Sequence, residues 1–105
     1  MPQAYNYKRI TSTGATVVSI SQMGMLHGVT LNQQSTAGAT STTNMIGIYD
    51  STTTFAASSA SGVIANVQAN NSGVGDYIFD VLYANGLTIA VGSAVSPVDI
   101  TVIYT

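Results

Sequence analysis

Short runs in which apolar and polar residues alternate recur along the chain, separated by clusters of Gly, Ser, Thr and Asn. Alternation with a period of two places alternate side chains on opposite faces of a β-strand, and β-branched residues suit that pleated surface. The pattern predicts strands at residues 5–11, 17–21, 25–32, 45–49, 63–68, 77–83, 87–91 and 98–104. Ser12-Thr13-Gly14 and the segment NNSGVG (70–75) read as turns. Pro97 stands at the start of the last strand, where a missing N–H costs least. The polar tract QQSTAGATSTTN (33–44) has no apolar anchor, and STTTFAASSASG (51–62) has Phe55. No segment shows a 3.6-residue period with helix caps; the nearest, FAASSASGVIANVQA, is interrupted by Ser and Gly.

About eight short strands in 105 residues predict one all-β domain spanning residues 1–105, with residues 1–8 as a candidate N-terminal arm. The expected architecture is a compact two-sheet β-sandwich of antiparallel strands, and a jelly roll is one arrangement that fits. Strand order does not follow from the pattern. Within strands, Met25, His27, Val29 and Leu31 are expected on one face, as are Val98, Ile100, Val102 and Tyr104.

The stretch DYIFDVLYANGLTIAVG (76–92) reads as a hairpin around Asn85-Gly86, and its register decides where Asp80 points. A two-residue type I′ loop would set Asp80 among Ile78, Leu82, Leu87, Ile89 and Val91, stranding a carboxylate among aliphatics. A three-residue loop, Ala84-Asn85-Gly86, instead gathers Tyr77, Phe79, Val81, Tyr83, Leu87, Ile89 and Val91 on one apolar face. That register sends Asp80 outward beside Ile78 and Leu82, with Thr88, Ala90 and Gly92 on the same outer face. The three-residue loop is the better fit.

Composition sharpens this picture at one point. Apolar content is 46%, ordinary for a globular chain, but only 6% of residues are charged, against roughly 25% in typical soluble domains. The charges are Lys8, Arg9, Asp50, Asp76, Asp80 and Asp99. A neutral surface offers little repulsion between copies and suits a permanent assembly, although a Thr-rich β surface can simply be soluble. Without a basic patch, nucleic acid is not an expected partner. Cysteine is absent, so disulfides and thiolate metal sites are excluded. The N-terminus has no apolar signal core and no run approaches a membrane span, so cytoplasmic synthesis and no membrane association are expected.

Candidate chemistry is sparse. His27 is the one histidine, and its apolar strand neighbours suggest a hydrogen-bonded core or interface residue. No motif supplies a nucleophile or an orienting partner, and no Lys or helix start follows SGVG, so neither enzyme activity nor a bound cofactor is expected. Loop-bound calcium at Asp50 or Asp76 stays open as an alternative. Tyr5, Tyr7, Tyr49, Tyr77, Tyr83 and Tyr104 could form a sugar platform, but core or interface packing is the better default.

The order of motifs adds a resemblance. RITS (9–12), GMLHGVTLN (24–32), IGIYD (46–50), YIFDVLYANGLTIAVG (77–92) and DITVIYT (99–105) follow one another along nearly the whole chain. In that order they resemble the small β-sandwich structural proteins of tailed bacteriophages, in particular capsid decoration or cement proteins. The resemblance implies a virion protein made in the host cytoplasm that sits on the head as a homotrimer and clamps neighbouring major capsid protein subunits. It carries no catalytic residue set. Tyr5, Tyr7, Lys8, Arg9, Ile78, Asp80 and Leu82 are the candidate assembly-interface residues, with Lys8 and Arg9 expected to reach an acidic capsid surface. The rival readings are a receptor- or carbohydrate-binding module of a phage tail tip or fibre, and a free bacterial carbohydrate-binding domain.

Overall fold

The computed structural model of the chain describes residues 4–20, 22–33, 45–52, 62–68 and 75–105. The expected Phe55 anchor and most of the polar tracts and the 70–75 turn lie outside them. The strands are β1 (Asn6–Ile10), β2 (Gly14–Ser19), β3 (Gly24–Leu31), β4 (Met45–Tyr49), β5 (Val63–Gln68), β6 (Gly75–Tyr83), β7 (Leu87–Val91) and β8 (Ile100–Tyr104). Asn6, Tyr7 and Lys8, which fall both in the expected first strand and in the candidate arm, belong to β1.

All pairings are antiparallel. β1 pairs with β8, β2 with β7, β3 with β6 and β4 with β5, so the chain behaves as one long hairpin with β4–β5 at its tip. Two further pairings, β3 with β8 and β4 with β7, roll that hairpin up. The result is two four-stranded sheets, ordered β1-β8-β3-β6 and β2-β7-β4-β5. This β-sandwich has the connectivity of a jelly roll, in which every link except β4–β5 crosses between sheets.

The two sheets bury their facing sides against each other. Ile10, Leu26, Val29, Leu31, Tyr83, Ile100 and Val102 come from the first, and Ile46, Ile48, Val67, Leu87, Ile89 and Val91 from the second. Burying one such aliphatic side chain contributes about 1.5–3 kcal/mol, so this layer is the main source of stability. The expected face of the last strand is present: Ile100 and Val102 lie in the core, and Val98 and Tyr104 pack against it.

The expected hairpin at residues 76–92 is not formed. β6 and β7 lie in opposite sheets, and residues 84–86 carry the chain across the sandwich. The assignment of inward side chains nevertheless holds: Tyr77, Phe79, Val81 and Tyr83 alternate inward on β6, and Asp80 is exposed. The two apolar faces meet across the core instead of side by side. Thr88 and Ala90 are also buried, because β7 is a central strand, and the Thr88 hydroxyl donates to the Ser51 carbonyl at 2.6 Å. Gly86, at φ 144°, makes the crossing possible. A Cβ there would lie 2.9 Å from the Ser19 carbonyl oxygen and would overlap the Thr52 side chain.

Candidate functional site

The first sheet turns its outer face to solvent, and cross-strand register arranges that face in rows. Arg9 pairs with Thr101, Thr101 with Thr30 and Thr30 with Asp76, forming a polar row near the β1–β2 end. The next row runs Tyr7, Ile103, Gly28, Ile78. Gly28 has no side chain, and a Cβ there would lie 3.2 Å from Ile78 Cδ1 and 2.9 Å from the Tyr77 carbonyl oxygen. Toward the opposite end, Met25 pairs with Leu82. Tyr7 is 73% exposed, Ile78 59% and Leu82 74%, so this face presents large apolar groups to solvent.

His27 interrupts the rows. Between the pairs Leu26–Val81 and Gly28–Ile78, one residue of β3 stands opposite two of β6, Phe79 and Asp80. Between Leu26–Tyr104 and Gly28–Ile103, β8 has no residue opposite His27. This stepped β-bulge shifts the phase of β3, so that Leu26 and Val29, three apart, both enter the core. Met25 and His27 consequently face outward, contrary to the expected single face with Val29 and Leu31. Asp80 absorbs the extra residue of β6 with φ 47°, a left-handed conformation that Asp tolerates better than most side chains.

The bulge brings three side chains together. His27 Nδ1 and Asp80 Oδ1 are 2.5 Å apart, and the Tyr5 ring stacks on the imidazole with centroids 4.7 Å apart at 28°. With Nδ1–H donating to the carboxylate, Nε2 is the ring nitrogen left to accept a proton or a hydrogen bond. The pair resembles the base-and-orienter half of a hydrolase triad. Beside Leu82, a shallow apolar pocket of about 140 Å³ is lined by Met23, Gly24, Leu82, Tyr83 and Ala84.

The other carboxylates bind within the fold. Asp50 Oδ1 accepts from the Ala84 N–H at 3.0 Å and the Asn85 N–H at 2.7 Å, tying the end of β4 to the β6–β7 crossing. Asp76 accepts from the Thr30 hydroxyl at 2.6 Å. Asp99 takes a two-point contact from Arg9, at 2.9 and 2.7 Å, and a third bond from Asn32 at 3.0 Å. The bonds from Arg9, then that from Asn32, hold the Asp99 carboxyl below its ordinary value, and the same pairing raises Arg9. Among the described residues, no three His or carboxylate groups gather as a metal site, and no helix is long and apolar enough to cross a membrane.

Of the seven candidate interface residues, Tyr5, Tyr7, Arg9, Ile78, Asp80 and Leu82 lie on this outer face. Lys8 does not join them. It pairs in register with the core residue Val102, so its side chain leaves the edge strand on the inner side. Arg9 is already engaged by Asp99. Sequence reasoning missed Met23, which is 87% exposed beside the pocket, and the partnership of His27 with Asp80. The bulge had one signal, Gly28 inside a strand next to apolar residues spaced three apart. The sequence matches no known protein-family model and no curated protein.

Proposed function

We propose that the protein is a bacteriophage capsid decoration (cement) protein that sits on the outer surface of the head as a homotrimer and stabilises contacts between major capsid protein subunits. The observation that carries this reading is the outer face of the first sheet. Tyr5, Tyr7, Ile78 and Leu82 stand exposed on a rigid β scaffold, in a chain whose residues are only 6% charged. Exposed aromatic and aliphatic groups on such a face suit burial against another protein. The order of motifs along the chain supports the same reading, and jelly rolls also serve in viral capsids, a fold-level analogy. Affinity would come from shape-matched area repeated over many symmetric copies.

The test is the copy number of the protein in purified virions. A decoration protein is present at hundreds of copies per particle; a single-digit or low-tens number contradicts the proposal. The second reading, a tail-tip or fibre module that binds a receptor or carbohydrate, rests on Tyr7, whose exposed ring could stack on a sugar. It predicts few copies per virion and binding on a glycan array.

A further inference from the structure

Two cations and four aspartates leave −2 with histidine neutral. Arg9 and Asp99 form an ion pair. Of the three other aspartates, Asp50 binds backbone N–H groups at the β6–β7 crossing, and Asp76 and Asp80 are exposed on β6. They alternate with Ile78 and Leu82, so the outward stripe of β6 reads acid, aliphatic, acid, aliphatic. Asp76 and Asp80 are four residues apart, roughly 13 Å by strand rise. No lysine or arginine among the described residues pairs with either: Arg9 is held by Asp99, and Lys8 leaves β1 on the inner side of the sheet. His27 contacts Asp80 through one carboxylate oxygen, which leaves the other to face a partner.

The free edges of this sheet are protected. On β1 a charge points inward at Lys8, and on β6 the left-handed Asp80 breaks the regular strand. Both devices hinder the addition of another strand. A partner therefore meets the sheet through its face and not along its edge. A second copy set face to face with β6 over β6 would bring Asp76 and Asp80 against their own kind, which like-charge repulsion disfavours. Charge complementarity selects a cationic surface instead.

We infer that the outer face of β1-β8-β3-β6 is the surface that docks on the partner, and that the partner presents basic side chains to Asp76 and Asp80 around an apolar patch that covers Tyr7, Ile78 and Leu82. One apolar side chain of the partner enters the pocket between Met23 and Leu82, whose volume of about 140 Å³ admits an aliphatic group or a single ring. This inference rests on the decoration reading, with the capsid shell as the partner. It reverses the electrostatic expectation for the N-terminus: the anions of this chain, not Lys8 and Arg9, make the charged contact.

The experiment mixes purified protein with heads of the parent phage assembled without it, and measures bound copies by sedimentation at low and high salt. The variants are Ile78→Ser/Leu82→Ser, Asp76→Asn/Asp80→Asn and, on the opposite sheet, Val63→Ser; thermal melting verifies that each is folded. The aliphatic pair is expected to raise the half-saturating concentration at least tenfold at both salt concentrations. The carboxylate pair is expected to weaken binding severalfold at low salt and to flatten its salt dependence. Val63→Ser binds as wild type. If wild-type protein decorates the heads and all three variants match it, the docking face is wrong while the decoration reading stands. If wild-type protein leaves the heads bare, the decoration reading fails and this inference fails with it.

Discussion

Asp50 and Asp80 are both aspartates at irregular points of strands, and they do different work. Asp50 closes the end of β4 and receives the backbone N–H groups of Ala84 and Asn85, at the point where the chain crosses between sheets. Asp80 stands on an edge strand with a left-handed backbone, an exposed carboxylate and His27 as a side-chain partner. The first carboxylate satisfies backbone donors on which a fold-defining link depends. The second occupies a conformation that disfavours most side chains and offers its charge to solvent. Strain retained at an exposed position points to a use outside the fold, whereas hydrogen bonds gathered at a crossing point to stability.

Substitutions should separate the two regions cleanly. The largest loss is expected from Gly86→Ala, which forces a side chain into the Asp50-linked crossing at a positive φ and against the Ser19 and Ser51 carbonyl groups; urea unfolding should show about 2–4 kcal/mol of destabilisation. Asp50→Ala leaves two amide donors without their charged acceptor and should cost about 2–3 kcal/mol by the same measurement. Because both changes strike one link, the double variant should lose less than the sum of the two. Additive losses would mean that Asp50 and Gly86 act independently.

An intermediate effect belongs to the Arg9–Asp99 clasp that joins β1 to the start of β8. The folded state holds Asp99 below its ordinary value of 3.8, so its contribution is fully present above that value and is lost as pH falls through the lower folded value. The urea midpoint of wild type should therefore drop between about pH 5 and about pH 2.5 by more than that of Asp99→Asn. Equal drops would remove the clasp from the stability of β1. The smallest change is expected at Asp80→Gly. Relief of the left-handed strain there opposes the loss of the His27 contact, leaving stability within about 1 kcal/mol of wild type. A loss as large as that of Asp50→Ala would erase the contrast between the two sites.

Much of the fold was legible in the alternation of apolar residues, because inward-facing side chains declare themselves by period alone. The eight strands and the inward set of β6 and β7 followed from it. Their pairing did not, since a hairpin and a crossing between sheets leave the same residues facing the core. The role of Asp50 was hidden for a related reason: its partners lie 34 and 35 residues along the chain. His27 was placed on the wrong face because a bulge moves the phase by one, and a strict period cannot represent a strand that changes step. The outward direction of Asp80, Ile78 and Leu82 was readable, whereas the absence of Lys8 from that face depended on the register of β1 against β8.

The most direct test is a cryo-electron microscopy map of heads mixed with the wild-type protein. The expected map shows regular added density on the outer surface of the shell, oriented with the β1-β8-β3-β6 face against the capsid subunits and the β2-β7-β4-β5 sheet away from them. Bare heads, or density attached through the opposite sheet, would contradict it.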